Sequence, residues 1–187
     1  MEFKGAHKVD NGNFITRYDL DYETVDGKAK TYEMISRNPD IRTIEDLQSP
    51  HVDAVVLIMT DPTGEKILIS HEFRLAVGSW VYNFPAGLID PGETPEVAAK
   101  RELKEETGIV AESIEHLTTI ATSAGFCDEH LHIYVATGLS QEETNRDDDE
   151  FMNIIWVPFD EALETCKQAT MIDSKTIISL TLYALKR

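Results

Sequence analysis

The chain has 187 residues, enough for one well-buried domain with a small appendage but not for a second full domain. Its hydrophobic fraction of 42% is that of an ordinary globular protein, which excludes a disordered or fibrous chain. A formal charge of −17 repels polyanions, so no nucleic-acid partner is expected.

Cys127 and Cys166 make neither a disulfide framework nor a CxxC pair, and the opening MEFKGAHKVD has no apolar leader. No apolar run reaches the roughly 18 residues that a membrane span needs. The expected location is the cytoplasm, with no membrane partner.

In residues 14–25, Tyr18, Leu20 and Tyr22 alternate with Asp19 and Asp21, and Asp26-Gly27 offers a hairpin turn before a second strand over 28–36. This predicts a two-stranded antiparallel ribbon. Because an isolated hairpin is marginal in water, the ribbon must pack on the rest of the chain or on a second copy. Asn38-Pro39 ends it, and the polar stretch to Ser49-Pro50 reads as a linker with at most a helical turn. The expected division is therefore a ribbon over 1–48 and a main domain over 49–187.

Residues 52–59 form a nearly continuous apolar run, and a turn at Asp61-Pro62-Thr63-Gly64 leads to a strand over 66–73. Both read as buried central strands. A loop over 74–80 and a short strand over 81–84 bring the chain to Pro85-Ala86-Gly87. Strands are expected at 116–122, 130–137 and 151–157, and closing helices at 160–168 and 174–186. His71, His130 and His132 read as packed or surface residues, and Cys127 as structural.

Gly87–Ile109, GLIDPGETPEVAAKRELKEETGI, holds five glutamates. Thr94 suits an N-cap, Pro95 a first helical turn and Gly108 a C-terminal stop, which predicts a helix over 95–107. At about 100° per residue, Glu102, Glu105 and Glu106 share an arc of about 100°. Crowded like charges destabilise a helix unless a cation relieves them. Hard oxygen donors of this kind suit Mg²⁺ or Mn²⁺, and Mg²⁺ is commonly shared with substrate phosphates. The other reading of the same face is a solvated acidic surface paired with Lys100, Arg101 and Lys104.

The order of fixed residues, from Gly87 and Glu93 through Arg101-Glu102-Leu103, Glu105-Glu106 and Gly108-Ile109, resembles the Nudix box at every defined position. The resemblance implies an α/β fold, the Nudix α/β/α sandwich with a mixed sheet, from about Val52 onward. FPAGLIDPGE, with HEFR upstream and SAGFCDE downstream, resembles the ADP-ribose pyrophosphatase branch. That branch implies a metal-dependent hydrolase cleaving a nucleoside diphosphate sugar at its pyrophosphate, ADP-ribose giving AMP and ribose 5-phosphate. It also implies a homodimer whose N-terminal ribbon contributes to the nucleotide pocket.

Carried over by motif position, Glu102, Glu106 and the Ala86 carbonyl match metal ligands, and Glu105 the third box carboxylate. Gly87, Glu93, Arg101 and Gly108 match structural positions of the box. Arg74 of HEFR is the expected phosphate contact, although an ion pair with a nearby carboxylate is the competing role. Glu150 matches the late-loop catalytic glutamate, with Asp148 and Asp149 as substitutes. Tyr32, Glu33 and Arg37 of YEMISR are the expected nucleotide contacts, and Leu88 lines the same pocket; ordinary cross-strand packing is the other explanation for Tyr32.

Asn83 and Ala124 depart from the branch, which more often has glutamate and proline there. A GDP-sugar or another nucleotide sugar is therefore an alternative substrate, and a non-catalytic nucleotide-sugar sensor an alternative function.

Overall fold

The structure, a computed structural model, describes residues 1–49, 51–142, 152–168 and 172–187. It divides into two compact units, one of Met1–Asp53 with Ala121–His130, the other of Ala54–Ile120 with Leu131–Arg187.

The first unit is built on an antiparallel sheet of three strands in the order β1 (Glu2–Asn11), β2 (Thr16–Glu23), β3 (Ala29–Ser36). The expected hairpin is β2–β3, with Thr16 opposite Ser36 and Glu23 opposite Ala29. The strand β1 was not anticipated. EFKGAHKVDN has no run of β-branched or aromatic residues and is mostly exposed, so backbone pairing with β2 carries it rather than a buried face.

Period-two alternation along β2 buries Tyr18 and Leu20, which form a small core with Met34 and Ile41. The Tyr18 hydroxyl donates to the Asn38 carbonyl and accepts from the Ile41 amide, fixing the exit from the sheet. The polar linker contains α1 (Ile44–Gln48), begun by a capping box between Thr43 and Asp46. The 121–130 segment joins this unit through Ile35, whose amide donates to the Phe126 carbonyl.

The second unit holds two sheets, β7-β4-β9-β8 and β10-β5-β6. Their strands are β4 (Ala54–Met59), β5 (Lys66–Arg74), β6 (Ser79–Asn83), β7 (Ala86–Leu88), β8 (Ile109–Ala121), β9 (His130–Gln141) and β10 (Met152–Pro158). β4 pairs parallel with β9 and antiparallel with β7, giving a mixed sheet. Strands β8 and β9 are longer than expected: β8 starts at Ile109, with Ile109 and Ala111 in the core, and β9 runs on through residues 138–141.

All six β4 residues are buried because both faces of the strand are covered. Val56 and Ile58 face a cluster with Ile133, Phe159 of α3 (Phe159–Gln168) and Leu180 of α4 (Ser174–Lys186). Val55, Leu57 and Met59 face another with Ala98, Ala99 and Leu103 of α2 (Pro95–Thr107). The fold is thus an α/β/α sandwich, with α2 on one side and α3 and α4 on the other.

Candidate active site

The short strand β7 and the helix α2 build the site. The Thr94 hydroxyl accepts from the Val97 amide at 3.3 Å, and Pro95 occupies the first turn, where its missing N–H costs no hydrogen bond. Gly108 closes the helix with φ of 70°, donating its amide to Lys104; a side chain there would meet the steric penalty of left-handed backbone. With Leu103 and two alanines turned into the core, the glutamate face is directed to β7.

Arg101 organises this face. Its Nε and Nη2 grip both Glu93 oxygens at 3.0 and 2.9 Å, and its Nη1 reaches Glu102 at 2.7 Å and Glu105 at 3.0 Å. The same Nη2 donates to the Leu88 carbonyl at 2.9 Å, which ties the turn after β7 to the helix. This is a planar fork matched to several acceptors, a task to which lysine is unsuited. The carboxylates, led by Glu93, hold the guanidinium pKa far above its ordinary value, and Arg101 in turn holds the Glu93 carboxyl below its own.

Glu102 is largely enclosed. Burial pushes its carboxyl pKa up, while the Arg101 hydrogen bond and charge oppose that shift. Gly87 leaves it room: a Cβ at Gly87 would lie 1.9 Å from the Glu102 carboxyl carbon. Glu106 is 7% exposed and accepts from the Ala86 amide at 3.1 Å. Glu105 is the most open of the three, with 42% of its side chain exposed. The structure therefore gathers Ala86, Gly87, Leu88, Glu93, Arg101, Glu102, Glu105 and Glu106 in one place, with Gly108 ending the helix that carries four of them.

Arg74 ends β5, where its Nη1 donates to Glu72 Oε1 at 2.6 Å. Burial opposes its charge, but Glu72, Asp173 and Glu106 outweigh that and raise its pKa. Glu72 also accepts from the Asn83 amide at 3.0 Å, and Asn83 Oδ1 accepts from the Thr176 hydroxyl at 3.1 Å. The departure at Asn83 is thus a buried link between β5, β6 and α4. Glu72 was missed in the sequence; the signal was its place two residues before Arg74, on the same face of a strand.

Within the first unit, Tyr32, Ala124 and Phe126 line an apolar cavity of about 450 Å³ together with Leu20, Tyr22 and Met34. The Tyr32 hydroxyl donates to the Gly125 carbonyl. Glu33 pairs with Arg17 at 3.2 Å and Arg37 with Glu129 at 3.1 Å. Glu150, Asp148 and Asp149 lie outside the described residues.

The NUDIX domain model matches residues 50–178. The chain belongs to the Nudix family. It is a Nudix hydrolase of the ADP-ribose pyrophosphatase branch. It is 32% identical over 181 residues to an ADP-ribose pyrophosphatase of Bacillus subtilis, covering 96% of this chain and 90% of that one. It is 41% identical over 138 residues to a methanol dehydrogenase activator of Bacillus methanolicus, covering 73% of each. The crystal structure of an ADP compounds hydrolase shares the fold with a TM-score of 0.81 and 22% identity, across 100% of this chain and 94% of that one.

Proposed function

We propose that the protein hydrolyses the pyrophosphate bond of a nucleoside diphosphate sugar in a Mg²⁺-dependent reaction, with ADP-ribose giving AMP and ribose 5-phosphate. The supporting observation is the box itself: Glu102 and Glu106 are held on one helix face against the backbone of Ala86 and Gly87. Its donors are hard oxygens, two of them on largely buried glutamates, which fits Mg²⁺ and Mn²⁺ and not a soft metal. Glu102, Glu106 and the Ala86 carbonyl would hold the ion. When bound, it supplies the positive charge against the diphosphate oxygens that a chain of net charge −17 otherwise lacks.

The chain's own residues do the rest. Arg74, oriented by Glu72, contacts the diphosphate, while Arg101 ties Glu93, Glu102 and Glu105 together as scaffolding. A carboxylate, Glu150 with Glu105 as the second candidate, takes the proton from the attacking water. Water oxygen bonds to one phosphorus, the bond from that phosphorus to the bridging oxygen breaks, and the bridging oxygen leaves on the other phosphate. Tyr32, Glu33, Arg37 and Leu88 are assigned to the nucleotide.

The test is product formation from ADP-ribose, GDP-mannose, other nucleotide sugars, dinucleotides and nucleoside triphosphates, with Mg²⁺, Mn²⁺ or excess chelator. AMP and ribose 5-phosphate formed only with metal support the proposal; preference for a GDP-sugar moves the substrate and keeps the chemistry. A second reading, activation of a dehydrogenase, is favoured by the 41% identity to the methanol dehydrogenase activator. Adding the protein to a methanol dehydrogenase, with Glu102→Gln as a control, separates a role that needs hydrolysis from one that does not.

A further inference from the structure

A second group of metal-ligating side chains lies wholly within the first unit. His51, Asp53 and His130 each direct a donor atom to one place, with these atoms all within 4.8 Å of one another. From these residues we infer a divalent transition-metal site, of the Zn²⁺ class, that clips the segment after α1 to the start of β9.

The tautomer of His51 is set by its surroundings. Its Nδ1 lies 3.0 Å from the Ser49 carbonyl, which can only accept, so Nδ1 carries the proton. A neutral His51 then turns a lone pair on Nε2 toward Asp53 Oδ2 at 3.4 Å and Asp128 Oδ2 at 3.9 Å. A lone pair facing two anionic oxygens is repulsive unless a cation lies among them. Metal-bound histidines commonly show this arrangement, one nitrogen on the metal and the other donating to a carbonyl.

The aspartates are similarly held. Asp53 Oδ2 accepts from the His130 amide at 2.9 Å, and Asp128 Oδ2 from the Ser36 hydroxyl at 2.8 Å. A tetrahedral site with bonds of about 2.0–2.1 Å has edges of about 3.4 Å, which is the His51–Asp53 separation. Three protein donors leave the fourth position of such a site to water.

An imidazolium at His51 would satisfy both aspartates without a metal, but it leaves the ring of His130 unexplained. His130 Nδ1 is buried without a hydrogen-bond partner among the described residues. A buried polar atom of that kind calls for a ligand. Two imidazoles with one carboxylate form a donor set suited to Zn²⁺ or a neighbouring first-row ion, unlike the all-oxygen box.

The experiment adds Co²⁺ to the chelator-treated protein and reads its visible absorption, first in wild type and then in Glu102→Gln/Glu106→Gln, His51→Gln and His130→Gln variants. The site predicts intense four-coordinate bands at one Co²⁺ per chain, retained in the box variant and lost in both histidine variants. Bands that disappear with the box glutamates, or persist without His51, overturn it, as does their absence from wild type. A measurement on wild type guards against misfolded variants: Zn²⁺ should shift the imidazole ¹⁵N resonances of His51 and His130 together. Shifts confined to other histidines overturn the site.

Discussion

Glu102 carries two opposed demands. Its raised pKa means that the folded protein binds this proton more tightly than the unfolded chain does. Its contribution to stability is therefore greatest below the ordinary carboxylate pKa and is lost as pH rises through that value toward the folded one. At neutral pH the charge is a cost, in part offset by Arg101. Replacing it with glutamine is expected to raise the Tm of chelator-treated protein by about 2–4 °C, the equivalent of about 1 kcal/mol in a chain of this size. Turnover should fall by about 10²–10³-fold, the scale on which lost electrostatic stabilisation is felt. Calorimetry and initial rates measure both; a lower Tm would show that the Arg101 pairing outweighs burial.

Gly87→Ala tests the same carboxylate from the other side. The 1.9 Å approach falls on the far end of a glutamate, which can swing aside, so the Tm should change by less than about 2 °C. The displaced Glu102 loses its position beside β7, and activity should drop about as far as in Glu102→Gln. Full activity would show that Glu102 works from another rotamer.

At the level of elements, α2 was legible because every signal agreed: an N-capping threonine, a first-turn proline, a core stripe of Ala98, Ala99 and Leu103, and a terminal glycine. The stretch Ser174–Lys186 was legible for its apolar face. β1 was not, because an exposed edge strand needs only a partner's hydrogen bonds and leaves little trace in composition. The box carboxylates could be read from spacing, and Glu72 could have been read from its place two residues before Arg74, whereas the burial of Asn83 depends on which strands pair, which no local pattern encodes.

The helix also depends on Arg101 to hold its turn. Asp90 donates its amide to Glu93 Oε2, and that glutamate is fixed by the guanidinium fork. Arg101→Lys keeps the charge but removes the paired donors. Hydrogen exchange at the amides of Asp90 and Glu93 should quicken by about tenfold, corresponding to about 1.4 kcal/mol of local stability, while strands β4 and β9 keep their protection. Unchanged exchange at both amides would assign the turn's stability to its backbone alone.

For the whole molecule, the first unit raises the question of assembly. A three-stranded sheet with a core of Tyr18, Leu20, Met34 and Ile41 is small, and among the described residues β1 pairs along one edge only. The homodimer that the branch resemblance implies would form through this sheet. Each chain brings a charge of −17, so self-repulsion must weaken association at low ionic strength. Screening shortens from about 30 Å at 0.01 M salt to about 8 Å at 0.15 M, so the dimer should tighten as salt is added. Sedimentation velocity should then show a species of twice the 21.1 kDa chain mass, its fraction rising with salt. A monomer across that range would overturn the expected homodimer.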